Sequence, residues 1–288
     1  MVYQGVILKG IGGFYYVEAA DKVIECRARG LFRKQGLTPL PGDKVTVRAQ
    51  GDDTNVIEEI HERKNSFLRP PVANIDLLII VVSTDEPKPN YYVIDKMTAL
   101  ASSKGIEAVI AITKTDLSSP QEIKSVYSKA GYKTFSINNV DGGGACELRK
   151  LLSNKVSVFT GNTGVGKSSL LNNISPELRL ETAQISEKLG RGRHTTRQVE
   201  FFSVAGGYVA DTPGFAAIDI RDSDLDCSNL QFQFAEFEPY LGNCRFTGCA
   251  HLKDKGCAIT PAVEKGEIGR TRYESYMLMY EELQEEMW

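Results

Sequence analysis

The segment GNTGVGKSS, residues 161–169, carries the spacing G-x-x-x-x-G-K-S from Gly161 to Ser168, and that spacing is chemistry for phosphate. Glycines let the backbone bend so that successive N–H groups converge on one point, and a helix N-terminus adds the positive end of its dipole. Lys167 supplies a point charge for the β- and γ-phosphates of a nucleotide, and the Ser168 hydroxyl is suited to ligate Mg²⁺. The flanks agree, since KVSVFT predicts a strand into the loop and SLLNNI a helix out of it. Gly161, Asn162, Thr163, Gly164, Val165, Gly166 and Ser169 complete the expected nucleotide-binding set. A bare glycine-rich turn would leave Lys167 without a purpose.

Downstream, the strand pattern GYVA ends in DTPG, Asp211 to Gly214. An aspartate at a strand end can hold Mg²⁺ through a water, and the Gly214 amide can approach the γ-phosphate with no Cβ in the way. Read alone, D-T-P-G is also a common turn sequence. Between the two motifs lies GRGRHTTRQ, where Thr195 or Thr196 offers a hydroxyl to Mg²⁺, and such a segment is expected to order only with a triphosphate.

The strand pattern IEAVIAI ends in TKTD, Thr113 to Asp116. The Asp116 carboxylate can accept hydrogen bonds from N1–H and the 2-amino group of guanine, two donors that adenine lacks, while the stem of Lys114 packs along the base and Thr115 completes the loop. The usual asparagine of such a motif is replaced by Thr113, which keeps a hydroxyl for loop contacts and loses the second group of the amide. Ser136 to Asn138, at the end of the next strand, fall where a base-contacting loop belongs but match such a motif only loosely. Guanine is therefore favoured over adenine, and GTP over ATP.

In most GTPases the phosphate loop comes first and the base-reading motif last, whereas here TKTD precedes the phosphate loop, so the order is circularly permuted. A parallel sheet tolerates this because joining nearby termini and opening another loop preserves the packing. The chain then passes from DTPG straight into its C-terminal segment, which predicts mechanical coupling between the two. Where many GTPases place a water-orienting glutamine after DTPG, this chain has Phe215, so the water must be positioned from elsewhere. His194 is the candidate, with a solvated loop histidine as the plain alternative.

Cys244, Cys249, His251 and Cys257 follow C-x4-C-x-H-x5-C, a Cys₃His set suited to closed, structural zinc. Cys26, Cys146 and Cys227 have no such neighbours and are expected to be small buried side chains.

The elements that position these groups are legible in outline. Residues 1–65 read as five short strands, YQGVILK, GFYYVEA, DKVIECRA, GDKVTVRA and DTNVIEEI, which suggests an OB-type barrel. Its basic segment, with Arg27, Arg29, Arg33 and Lys34, could reach RNA phosphates or simply be solvated. A second basic run spans Lys188 to Arg197. Pro70 and Pro71 predict a stiff, extended connection to a second domain at 66–220, where apolar strands alternate with helices as in a parallel sheet covered on both faces. A third region, 221–288, reads as mostly helical around the cysteine loop, with DLDCSNLQFQFAEFEPYL helix-like. At 288 residues, 42% hydrophobic and 25% charged with net charge −3, the chain has the composition of a soluble protein. It has no apolar run long enough for a membrane, and its start, MVYQGVILKG, lacks a signal-peptide core, which predicts a cytoplasmic location.

The combination of TKTD, GNTGVGKSS, GRGRHTT, DTPGF and CRFTGCAH in this order closely resembles the ribosome small-subunit-dependent GTPase A family of circularly permuted GTPases, over nearly the whole chain. The resemblance implies an OB-fold domain, a permuted GTPase domain and a zinc-containing C-terminal domain that dock on the 30S ribosomal subunit and its 16S rRNA late in maturation. Subunit-stimulated hydrolysis of GTP to GDP would then release the protein, which is expected to act as a monomer. A contrasting reading is a GTP-gated RNA-binding placeholder in which hydrolysis is incidental. A third, an ATP-dependent enzyme, requires Asp116 not to read guanine.

Overall fold

Alternating apolar and polar residues curl the N-terminal strands into a closed barrel in the computed structural model, which describes the chain apart from residues 50–54, 181–198, 213–214, 253 and 286–288. Strands β1 (Val2–Ile11), β2 (Phe14–Ala19), β3 (Lys22–Ala28), β4 (Lys44–Arg48) and β5 (Asn55–Ile60) close in the order β1-β2-β3-β5-β4. Ile7, Val17, Cys26, Val45, Val47 and Ile57 fill the interior. The basic segment between β3 and β4 contains a short helix, α1 (Gly30–Lys34). Within that segment Arg29 is paired with Glu58 at 2.7 Å, and the Arg27 guanidinium lies 4.7 Å from the Phe14 ring centroid.

The stiff connection expected at Pro70 and Pro71 is instead an antiparallel hairpin of β6 (Ser66–Leu68) and β7 (Pro71–Ala73). Its arms bury Phe67 and Val72 in the core of the main sheet, a hydrophobic gain that an extended linker would forgo. Buried polar groups fix this junction to the barrel. Arg63 donates to both carboxylate oxygens of buried Asp43 at 2.7 Å, and Asn74 donates to the Gly42 carbonyl at 2.9 Å. On the other side, Glu18 of β2 accepts from Ser203 at 3.0 Å and from the Tyr208 hydroxyl at 2.7 Å.

The main sheet has six strands in the order β10-β9-β8-β11-β13-β12, formed by β8 (Leu77–Ser83), β9 (Glu107–Thr113), β10 (Lys133–Ser136), β11 (Val156–Thr160), β12 (Phe201–Val204) and β13 (Gly207–Asp211). All neighbouring pairs are parallel except β12 with β13. Strand β8 is buried along its whole length: Leu78, Ile80 and Val82 enter one core, and Leu77, Ile79 and Val81 the other. This is why its sequence is continuously apolar rather than alternating. Helices α2 (Tyr91–Ser103), α3 (Gln121–Lys129), α4 (Ala145–Leu151) and α5 (Lys167–Ile174) make the crossovers. Of the three cysteines expected to be buried, Cys26 is, Cys227 is partly covered, and Cys146 is exposed on α4, a helix the sequence pattern did not announce.

The helix expected over DLDCSNLQFQFAEFEPYL is replaced by two 3₁₀ segments, Leu230–Gln233 and Ala235–Tyr240. Asp226 captures the backbone N–H groups of Ser228 at 2.7 Å and Asn229 at 2.9 Å, and Pro239 removes a donor, so the backbone is drawn away from α-helical pairing. Helices α6 (Ile259–Glu264) and α7 (Arg270–Glu285) follow. Arg272 of α7, 0% exposed, donates to Asp95 at 2.8 Å and Thr98 at 2.9 Å on α2, and to Glu236 at 2.7 Å. No helix among the described residues is long and apolar enough to cross a membrane.

Candidate nucleotide cleft and metal centre

Three parallel strands deliver the chemistry to one edge of the sheet. β9 ends at Thr113, β11 at Thr160 and β13 at Asp211, so TKTD, the phosphate loop and the aspartate all lie at strand C-termini, where ligands bind in open α/β sheets. TKTD and the phosphate loop also touch. Thr113, fully buried, donates its hydroxyl to the Val165 carbonyl at 2.6 Å, with the Val82 carbonyl at 3.1 Å as the longer contact. Lys114 has φ +58°, and its carbonyl accepts from the Thr84 hydroxyl at 2.7 Å while its ammonium donates to the Glu86 carbonyl. Thr115 donates its amide to the Ile137 carbonyl at 3.4 Å, and Asp116 is exposed at the rim without a hydrogen-bond partner among the described residues.

The phosphate loop turns through left-handed backbone at Gly161, Gly164 and Gly166, with φ of +143°, +84° and +92°. Asn162, Thr163 and Gly164 are exposed, Val165 anchors the loop in the core, and Gly166 caps α5, whose first turn carries Lys167, Ser168 and Ser169. The Lys167 ammonium donates to the carbonyls of Gly161 at 2.7 Å and Asn162 at 3.0 Å. Burial pulls its pKa down, and Asp211 opposes that fall. Burial likewise pushes the Asp211 carboxyl up, with the Lys167 charge opposing. Asp211 Oδ1 is buried with no hydrogen-bond partner, an oxygen donor of the hard type that Mg²⁺ takes, and Ser168 adds a hydroxyl of the same class. These residues fit a nucleotide phosphate with Mg²⁺. Phe215 turns away into the main core, with its ring 4.8 Å from that of Phe67 in an edge-on contact. His194, Thr195, Thr196 and Gly214 lie outside the described residues.

Two asparagines escaped the sequence reasoning. Asn139, one residue beyond the expected base-side loop, donates to the Gly166 carbonyl at 3.1 Å, and Asn173 of α5 donates to the Asn139 carbonyl at 3.1 Å. Both are polar residues in loop or half-buried helix positions, and no periodic pattern marks such a pairing.

In the C-terminal region, the ligand atoms of Cys244, Cys249, His251 and Cys257 all lie within 4.8 Å of one another. His251 Nδ1 is 3.5 Å from both Cys244 Sγ and Cys257 Sγ, which matches the S···N edge of about 3.5 Å expected for tetrahedral zinc with ordinary Zn–S and Zn–N bonds. The far nitrogen, Nε2, meets Gln231 Oε1 at 2.7 Å, so Nε2–H donates there and the Nδ1 lone pair is free for a metal. Burial lowers the pKa of His251, keeping it neutral as a ligand must be, and pushes the Cys249 thiol up to about 12. His251 takes φ +58°, and its carbonyl accepts from the Tyr273 hydroxyl at 2.8 Å. The donor set fits zinc.

A closed five-stranded barrel, a parallel sheet whose phosphate loop follows its base-reading motif, and a Cys₃His loop together define a circularly permuted P-loop protein. The model of the RsgA GTPase family matches residues 60–221, and that of the RsgA N-terminal domain matches residues 4–57. The small ribosomal subunit biogenesis GTPase RsgA of Caldanaerobacter subterraneus is 46% identical, covering 98% of this chain and 96% of that protein. The protein of the same description from Bacillus subtilis is 40% identical, with 98% of each covered. Among solved structures, YjeQ from Thermotoga maritima superposes with a TM-score of 0.84 at 34% identity, covering 99% of both chains. YloQ, described as a circularly permuted GTPase, superposes with a TM-score of 0.81 at 34% identity, covering 99% of this chain and 96% of that one. The chain belongs to the RsgA GTPase family.

Proposed function

We propose that this chain hydrolyses GTP to GDP and phosphate and serves the biogenesis of the small ribosomal subunit. The observation that carries the reading is the bond from Thr113 to the Val165 carbonyl, which joins the base-reading motif to the phosphate loop in one cleft despite their inverted order. Asp116 reads guanine, Lys114 lines the base, and the amides of residues 161–169 with Lys167 hold the phosphates. Ser168, Asp211 and a hydroxyl from Thr195 or Thr196 would hold Mg²⁺, which would supply neutralising charge to the phosphoryl oxygens. His194 positions the attacking water and the Gly214 amide meets the γ-phosphate. Zinc in the cysteine loop is structural.

We divide the chain at 1–65, 66–220 and 221–288; the barrel has an apolar cluster of its own, and the C-terminal cluster also takes in Ala99 and Leu100 of α2. It works as a cytoplasmic monomer on the 30S subunit, with the barrel offering Arg27 and Lys34 to 16S rRNA. Ile218 packs against both the sheet core and the C-terminal core, which supports coupling between the DTPG segment and the metal-bearing region. The test is turnover with and without purified small subunits. Stimulation by subunits, lost by about 10²-fold or more in His194→Ala with GTP binding retained, is expected. Equal turnover with and without subunits would sink the reading.

A further inference from the structure

This chain has Thr113 where the base-reading motif of most GTPases has asparagine, and the structure supplies an amide from a different strand end. Thr113 donates to the Val165 carbonyl at 2.6 Å, and Asn139 donates to the next carbonyl, that of Gly166, at 3.1 Å. Two consecutive peptides of the phosphate loop are therefore each held by a side chain from a base-side loop. In a trans peptide the C=O and N–H vectors point in opposite directions. Pinning the carbonyls of Val165 and Gly166 on one side aims the N–H groups of Gly166 and Lys167 to the other, toward the phosphates the loop encloses.

The arrangement is built rather than incidental. The Gly166 carbonyl uses its second lone pair for the Leu170 amide at 2.9 Å, the first bond of α5, so it is fully engaged. A Cβ on Gly166 would sit 2.7 Å from Asn139 Nδ2, so the glycine is needed for the amide to approach as well as for its positive φ. Asn173 Nδ2 lies 3.4 Å from Asn139 Oδ1 and 3.1 Å from the Asn139 carbonyl. A donor at Oδ1 sets the orientation of the Asn139 amide, leaving its NH₂ for Gly166. Asn173 belongs to the helix that the phosphate loop begins, so the chain of contacts closes on itself.

We infer that Asn139 is a positioning residue: held by Asn173, it replaces the amide missing at Thr113 and orients the β-phosphate-binding amides of the phosphate loop, without reading the base. This rests on the GTPase assignment, and the two fail differently. If the parent chain does not bind GDP, the assignment falls; the test of Asn139 is a comparison among variants of a binding-competent parent.

The experiment titrates GDP and ADP into the full chain, Asn139→Ala, Asn139→Asp and the double variant Asn139→Ala with Thr113→Asn, with ³¹P NMR of bound GDP. Losing one such hydrogen bond should weaken GDP binding about tenfold in Asn139→Ala. The β-phosphate resonance should move, and the preference for GDP over ADP should persist. Restoring an amide through Thr113→Asn should recover most of the affinity. Asn139→Asp keeps the side-chain shape but turns a carboxylate toward the Gly166 carbonyl, and should bind more weakly than the alanine variant even if that variant folds poorly. GDP affinity within about twofold of the parent in both single variants, with an unmoved β-phosphate resonance, would overturn the inference. So would selective loss of guanine preference, which would make Asn139 a base contact.

Discussion

The groups of the nucleotide cleft come from strand ends at residues 113, 160 and 211, whereas the four residues of the Cys₃His cluster lie within residues 244–257 of one loop. The cleft is assembled by sheet order. Neighbouring parallel strands β9, β8, β11 and β13 bring their C-terminal ends to one edge whatever order the chain visits them in, so permutation leaves the geometry intact. The metal cluster is assembled by chain spacing and by packing against the Tyr273 and Tyr276 hydroxyls, which accept no freedom in the order of its ligands. A distributed site survives rearrangement of the sequence; a local one depends on its own spacing and on the side chains packed against it.

Removing the metal should break the comparison most sharply. A structural zinc contributes about 10–16 kcal/mol in small domains, so chelation should abolish hydrogen-exchange protection in the cysteine loop and α6. Because the described cleft residues make no hydrogen bond to the cysteine loop and the two regions meet through packing at Ile218, GDP affinity should fall far less than the loop's protection; a collapse of GDP binding would show that the sites are one unit. Next in size, Asp116→Ala should cut the preference for guanine over adenine nucleotides by on the order of 10⁴, because the base donors lose their acceptor. Competition between GDP and ADP reads this directly. Arg272→Met leaves Asp95 and Glu236 buried without their cation and should cost about 3–5 kcal/mol in urea unfolding, loosening α7 from α2. The smallest change is Thr113→Val, which deletes one loop-to-loop hydrogen bond at nearly constant volume and should weaken GDP binding about fivefold.

The cleft was legible because its motifs carry local signals: glycines at forced turns, a lysine at a fixed offset, and apolar strands that must end where the motifs begin. The barrel strands and the Cys₃His loop were readable for the same reason. What the sequence hid is non-local and polar. Nothing in the spacing connects Asn139 to Asn173, Gln231 to His251, or Arg272 to Asp95, because each pair is joined only after the sheet and helices pack. The hairpin at Pro70 and Pro71 was masked by two prolines whose local preference suggested a linker, while burial of Phe67 and Val72 decided the outcome. The 3₁₀ segments near residue 230 misled for a related reason, since an apolar spacing suited to a helix was overruled by Asp226 binding its own backbone.

The central claim is that one guanine nucleotide spans the permuted motifs, and hydrogen exchange with and without GDP tests it most directly. GDP should protect amides at 114–117 and 161–169 together, and ADP should fail to protect 114–117. Protection confined to the phosphate loop, with TKTD exchanging as in the free protein, would contradict the account.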